Sequence, residues 1–237
     1  MDLLATVAIV TLISGLAMPL GALLAKIEDI RPYWLKSELR HGVIALGGGA
    51  LLSAVALVLV PEGISNLSPI AACISLILGG IGFMSLDILL KKIDTPASQL
   101  VAMLSDFIPE AIALGAAFAT GSSSAYLIAL LITLQNIPEG FNAYRELKDS
   151  SSMKSMTIII SFTALATLGT VAGIIGYSFL YELPQILSVI MLVASGGILY
   201  SIFQDIAPQV KLEQHWSPPL WAVFGFMCGM LGHMLMH

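Results

Sequence analysis

Residues 106–111 read Asp106-Phe107-Ile108-Pro109-Glu110-Ala111, and residues 135–140 read Gln135-Asn136-Ile137-Pro138-Glu139-Gly140. Both lie in apolar surroundings and both join a proline to a glutamate. A proline inside a helix removes one backbone donor and kinks the rod. That frees the carbonyl four residues earlier, which belongs to Ser105 in one segment and Leu134 in the other. Asp106 and Glu110 are four residues apart and stack on one helix face; Gln135 and Asn136 precede Glu139 by four and three and share its face. Two such helices side by side present three carboxylates, two amide oxygens and loosened carbonyls in a small volume. Divalent cations bind in oxygen cages of this kind.

The sequence around these motifs reads as membrane-embedded. Of 237 residues, 57% are hydrophobic and only 11% charged, with a mean hydropathy of +0.94. Soluble domains carry about 25% charged residues. Stretches long enough to cross a bilayer fall at 3–25, 42–61, 69–90, 98–120, 123–145, 155–180, 184–207 and 218–236. The expected fold is an all-α membrane protein, a single polytopic domain over 1–237 with eight transmembrane helices. Eight spans of about 22 residues use about 176, which leaves no room for a soluble catalytic domain or an ectodomain. The net charge of -5 offers no basic surface for nucleic acid. Cys73 and Cys228 sit in apolar stretches and read as packing residues, not as a disulfide framework or a metal knuckle. The acidic start Met1-Asp2 and the long apolar run to Ala25 read as a retained helix, not a signal peptide.

Every Lys and Arg falls in an odd-numbered loop. Lys26, Arg31, Lys36 and Arg40 follow span one, Lys91 and Lys92 span three, Arg145, Lys148 and Lys154 span five, and Lys211 span seven. Short basic loops stay in the cytoplasm. Both termini are therefore expected on the extracytoplasmic side, in a multi-pass protein of the plasma membrane whose general partner is lipid.

The chain also echoes itself. Gly48-Gly49-Ala50-Leu51-Leu52-Ser53 leads to Val60-Pro61-Glu62, and Ser195-Gly196-Gly197-Ile198-Leu199-Tyr200-Ser201 leads to Ala207-Pro208-Gln209 with equal spacing to the proline. Ser14 to Gly21 echoes Thr163 to Gly169, and Ile108-Pro109-Glu110 matches Ile137-Pro138-Glu139. The pattern is an inverted 3+2+3 repeat: a first repeat over about 1–92, a central helix pair over about 98–145, and a second repeat over about 155–237. Secondary transporters use this architecture and bind substrate near the midplane. Glycines 47–49 and 196–197 read as sites of close helix contact.

Asp106, Glu110, Glu139 and Asp205 lie within apolar spans. Each costs about 2.5–3.5 kcal/mol near the bilayer centre, and no Lys or Arg lies inside a span to offset them, Arg145 standing at the very end of the fifth. The offset is a proton, water or a cation; protonated acids acting as interhelical glue are the plainer alternative. Asp205, beside Gln204, reads either as a relay ligand toward the cytoplasm or as a snorkelling acid. Glu62 and Asp87, near span ends, read as solvated. His41 and His215 read as interfacial, and His233 and His237 carry no role. An enzyme is not expected: there is no HExxH, no GxSxG and no Walker motif.

The twin Pro-Glu helices, the eight spans with outward termini, and the run from Gly48 to Ser53 leading to Leu59-Val60-Pro61-Glu62 resemble the ZIP family of divalent metal (zinc/iron) transporters. The likeness covers almost the entire chain. In that family the fourth span reads His-Asn-x-Pro-Glu-Gly and the fifth His-x-x-Pro-Glu-Gly, and together they bind the metal. By position these motifs fall on residues 106–111 and 135–140. The prolines and glutamates match, but Asp106 and Gln135 stand for the histidines and Phe107 for the asparagine. A further family acid, in the sixth span, falls near Ala166-Thr167 and is missing. The resemblance implies a secondary carrier that moves zinc, manganese or iron toward the cytoplasm, with no nucleotide and no organic cofactor. The metal-site candidates are Asp106, Glu110, Gln135, Asn136, Glu139 and Asp205, with Pro109 and Pro138 as kinks. Imidazole suits zinc, whereas carboxylate and amide oxygens suit harder ions, so selectivity is expected to shift toward manganese or ferrous iron. A non-transporting metal sensor or scaffold with the same fold is the alternative, and exposed small-residue faces leave room for a homodimer.

The charge pattern is directly checkable. In a Cys73→Ser, Cys228→Ser background, single cysteines at Lys92 and Lys148 should react with an impermeant maleimide only from the cytoplasmic side. Cysteines at Asn66 and Gly121 should react only from outside, and labelling of both sets from one side would overturn the orientation.

Overall fold

The apolar runs fold into long helices, and the polar breaks between them become short turns. A computed structural model describes residues 2–28, 33–93, 96–121, 124–210 and 216–236. Arg31, Lys211, His215 and His237 lie outside the described residues. We number the helices α1 (Leu3–Glu28), α2 (33–64), α3 (Pro69–Ile93), α4 (Pro96–Ala119), α5 (Ser124–Ser150), α6 (Ser155–Ser178), α7 (Pro184–Val210) and α8 (Ser217–Met236). No strand occurs among the described residues.

Six of these helices, α1, α2, α3, α6, α7 and α8, are long and apolar enough to cross a membrane. The chain is thus a helical multi-pass membrane protein. At 24 and 27 residues, α4 and α5 match the others in length and carry the two polar motifs. Helices overrun the apolar stretches that announce them. Lys36 and Arg40, read as loop residues, and His41, read as interfacial, fall inside α2, which begins at Tyr33. Similarly, α5 continues past Arg145 to Ser150. Lys, Arg and Glu are good helix formers, so the backbone stays helical beyond the apolar stretch.

Two helices change pitch at matching places. In α2 a π-helical turn, Val55–Leu59, precedes Val60-Pro61; in α7 the π turn Ile202–Ile206 precedes Ala207-Pro208. Each pair of positions is separated by 147 residues. A π turn inserts one extra residue into the helix and frequently occurs at functional sites. In both helices it places the proline at the start of a new helical segment, where its missing N–H is tolerated.

The packing pairs α1 with α5 and α6, α4 with α6, α8 with α2, and α3 with α7. One core joins α1, α4, α5 and α6 through Val7, Met18, Phe107, Leu114, Leu131 and Phe162. A second joins α2 and α7 through Leu51, Val55, Leu59, Met191, Ile198 and Ile202. Glycines set the closest approaches, in reciprocal pairs. A methyl group on Gly49 would strike the Ala222 carbonyl of α8, and one on Gly225 of α8 would strike the Leu46 carbonyl of α2. The α3–α7 contact repeats this with Gly79 against Val193 and Gly196 against Leu76. Gly21 and Gly140 do the same between α1 and α5, as Gly115 and Gly176 do between α4 and α6. Small residues that let backbones meet are the usual means of association in lipid.

Gly49→Ala should therefore lower the melting temperature of the purified protein, because overpacking of about 1–3 kcal/mol outweighs the gain in helix propensity of about 1 kcal/mol. Gly82→Ala, which meets nothing within 4 Å, should leave the melting temperature unchanged or raise it. Equal effects at the two positions would refute this reading.

Candidate metal centre

The site is built where α4 and α5 cross, and the neighbours fix both helices closely. Gly21 of α1 lies against the Ile137 carbonyl of α5, and Gly47 of α2 lies against the Pro138 ring. Pro109 and Pro138 both sit inside continuous helices, so each removes one backbone hydrogen bond beside the polar residues.

Glu110 is 2% exposed, and Gln135 and Asn136 are fully buried. Gln135 Nε2 donates to Glu110 Oε2 at 2.5 Å, joining the two helices. Asn136 Nδ2 donates to the Ser14 carbonyl of α1 at 2.9 Å. Both amide nitrogens are engaged, so both amide oxygens turn elsewhere. Gln135 Oε1 and Asn136 Oδ1 are shielded from solvent and have no hydrogen-bond partner among the described residues. The same holds for Asp106 Oδ1, Glu110 Oε1, Glu139 Oε1 and Asn142 Oδ1. Glu139 lies within reach of the charges of both Asp106 and Glu110. An orphaned buried polar group costs about 1–3 kcal/mol, so the five on Asp106, Glu110, Gln135, Asn136 and Glu139 amount to a standing demand for a donor or a cation, while Asn142 stands one turn further along α5.

Carboxylates alone do not complete a cage. Among the described residues no three His, Cys, Asp or Glu side chains are grouped to hold one ion. A cation here would need the amide oxygens of Gln135 and Asn136 as well as the acids. Mixed carboxylate, amide and water coordination is what hard divalent ions accept.

Asp205 stands apart from the other five candidates. It lies on the π turn of α7, within electrostatic range of Asp106 but outside the α4–α5 crossing. Asp87, read above as solvated, is instead tied down: Tyr200 of α7 donates its hydroxyl to Asp87 Oδ2 at 3.0 Å, and Lys91 pairs with the same oxygen at 2.9 Å. Carboxylates at helix ends are solvated only where no neighbour supplies a donor, and here α7 does. At the basic end of α5, Glu146 is exposed; burial of part of its carboxyl and the nearby Asp205 push its pKa up, while Arg40 holds it down.

Sequence reasoning missed three contributors. Ser14 organises the α1 side: its Oγ donates to the Ala129 carbonyl at 3.2 Å and accepts from Thr133 Oγ1 at 3.2 Å. Asn142 and Tyr200 were not singled out either. For Asn142 a signal existed, since it follows Glu139 by three and Gln135 by seven and so shares their face. Phe107 has a clear place. It is 1% exposed and fills a notch against Gly169 of α6, with Gly15 of α1 close by. That apolar notch lies in the part of α6 where the resembled family carries its acid. On the other side of the crossing, Ala54, Val58, Leu59, Ile128, Leu131 and Ile132 line an apolar pocket that reaches Glu110.

No protein-family model matches the chain, and no curated protein matches it.

The Glu110–Gln135 bond is open to a double-mutant cycle. Gln135→Leu should destabilise the protein by about 1–3 kcal/mol because it strands a buried carboxyl. Adding Glu110→Leu should recover part of that loss, since removing both partners is nearly neutral. Additive losses in thermal unfolding would show that the two side chains do not interact.

Proposed function

We propose that this protein is a secondary carrier of divalent metal cations, related in design to the ZIP family that its Pro-Glu helices resemble. The observation that carries the reading is the set of unpartnered buried oxygens on Asp106, Glu110, Gln135, Asn136 and Glu139, borne by two proline-containing helices that the Glu110–Gln135 bond joins. Carboxylates placed in an apolar interior without a basic partner are stabilised by a cation that comes and goes. The substrate class is zinc, manganese or iron, with the oxygen-rich donors favouring the harder members. The direction is toward the cytoplasm, across the plasma membrane.

An inverted 3+2+3 arrangement of eight spans, with both termini outside, accompanies this reading. It is supported by the π turns placed 147 residues apart and by the helix pairs. Exchanging α1 with α6, α2 with α7, α3 with α8 and α4 with α5 turns each glycine-lined contact into another of the four. A second reading, a metal sensor or scaffold that binds without transport, draws on the lack of a three-carboxylate cluster among the described residues.

Uptake of zinc, manganese and ferrous iron into vesicles containing the purified protein separates the two. The carrier should move at least one ion, and Glu110→Ala with Glu139→Ala should abolish the flux. Calorimetric binding with no flux in the parent protein would establish the sensor instead.

A further inference from the structure

The face of α5 that meets Glu110 changes character along its length. Ile128, Leu131 and Ile132 line the apolar pocket on one side of Glu110. Gln135, Glu139, Asn142 and Glu146 then follow at steps of four, three and four, which keeps them on one helical stripe. The stripe is therefore apolar before the site and polar after it, toward the end that carries Arg145 and Lys148. Glu146, at the far end, is exposed and shares its electrostatic surroundings with Asp205 of α7 and Arg40 of α2. Asp205 in turn lies within range of Asp106 in α4. The polar half of the stripe thus lies within electrostatic range of acids on α4 and α7.

We propose that Asn142 is the oxygen donor that passes the cation from the α4–α5 site toward the basic end of α5, between Glu139 and Glu146. This rests on the carrier reading given above. Its basis is geometric: Asn142 Oδ1 is shielded from solvent, has no hydrogen-bond partner among the described residues, and lies one turn beyond Glu139 on the same stripe. A side chain kept for packing would not leave a carbonyl orphaned there, because an apolar residue would fill the space without the desolvation cost. A neutral amide oxygen also has the right strength for a station passed in transit. Conduction needs sites that attract the ion and still release it, and another carboxylate at this point would hold a divalent ion more firmly than an amide does.

The test uses the full-length protein and Mn²⁺ as the probe. Binding is read from loss of the free Mn²⁺ paramagnetic resonance signal, and transport from uptake into vesicles. Asn142→Leu should leave Mn²⁺ binding close to the parent value while lowering uptake by about tenfold or more. Asn142→Asp should bind Mn²⁺ more tightly and retain uptake above that of Asn142→Leu, a response that a merely structural asparagine would not give. Parent-like uptake by Asn142→Leu, or unchanged affinity in Asn142→Asp, overturns the assignment of Asn142 alone. Failure of the parent protein to bind or take up Mn²⁺, Zn²⁺ or Fe²⁺ removes the carrier reading and this inference with it.

Discussion

A carboxyl group buried in hydrocarbon must find something to satisfy it, and the arrangement of this protein follows from that need. Glu110 is almost wholly buried, and one of its oxygens is taken by the Gln135 amide. That bond joins α4 to α5 and leaves Glu110 Oε1 and Gln135 Oε1 without partners among the described residues. Asn136 repeats the device toward α1 by donating to the Ser14 carbonyl. In each case the amide nitrogen donates to the protein and the amide oxygen is left without a partner among the described residues. The oxygens left over are lone-pair donors, and this is the feature on which the proposed cation site rests.

Around this centre the backbone comes unusually close. The four reciprocal glycine contacts hold α2 against α8, α3 against α7, α1 against α5 and α4 against α6. Large aliphatic side chains do little to join helices in lipid, since lipid tails are equally apolar. The apolar residues that do pack tightly concentrate where α1, α4, α5 and α6 meet, with Phe107 and Phe162 among the largest buried. By contrast α3 is held mainly by α7, through Gly79, Gly196 and the Tyr200–Asp87 hydrogen bond. The site therefore sits in the best-packed part of the molecule.

Much of this was legible in the sequence, for identifiable reasons. Helix positions follow from apolar runs of bilayer length, and Asp106, Glu110 and Glu139 announce themselves as acids in apolar segments without basic partners. Gln135 and Asn136 were found because helical spacing ties them to Glu139. The missing elements depend on tertiary contact. Ser14 contributes a backbone carbonyl, which every residue type possesses, so no residue code marks it. Tyr200 looks like any interfacial tyrosine until α3 is placed beside it. The π turns left only an indirect mark, the prolines Pro61 and Pro208 that follow them, because a local change of hydrogen-bond register has no residue signature of its own. Asn142 was visible in the spacing, but an uncharged side chain raises no alarm in an apolar stretch.

The polarity that gives α4 and α5 their chemistry bears on how the chain is made. Each sets several polar side chains in an otherwise apolar run. The turn between them begins at Gly121, whose positive φ of 67° ends α4 abruptly. A segment carrying several polar side chains is a poor candidate to leave the translocon alone. The short connection between α4 and α5 lets the two polar faces meet each other, so that neither has to face lipid alone.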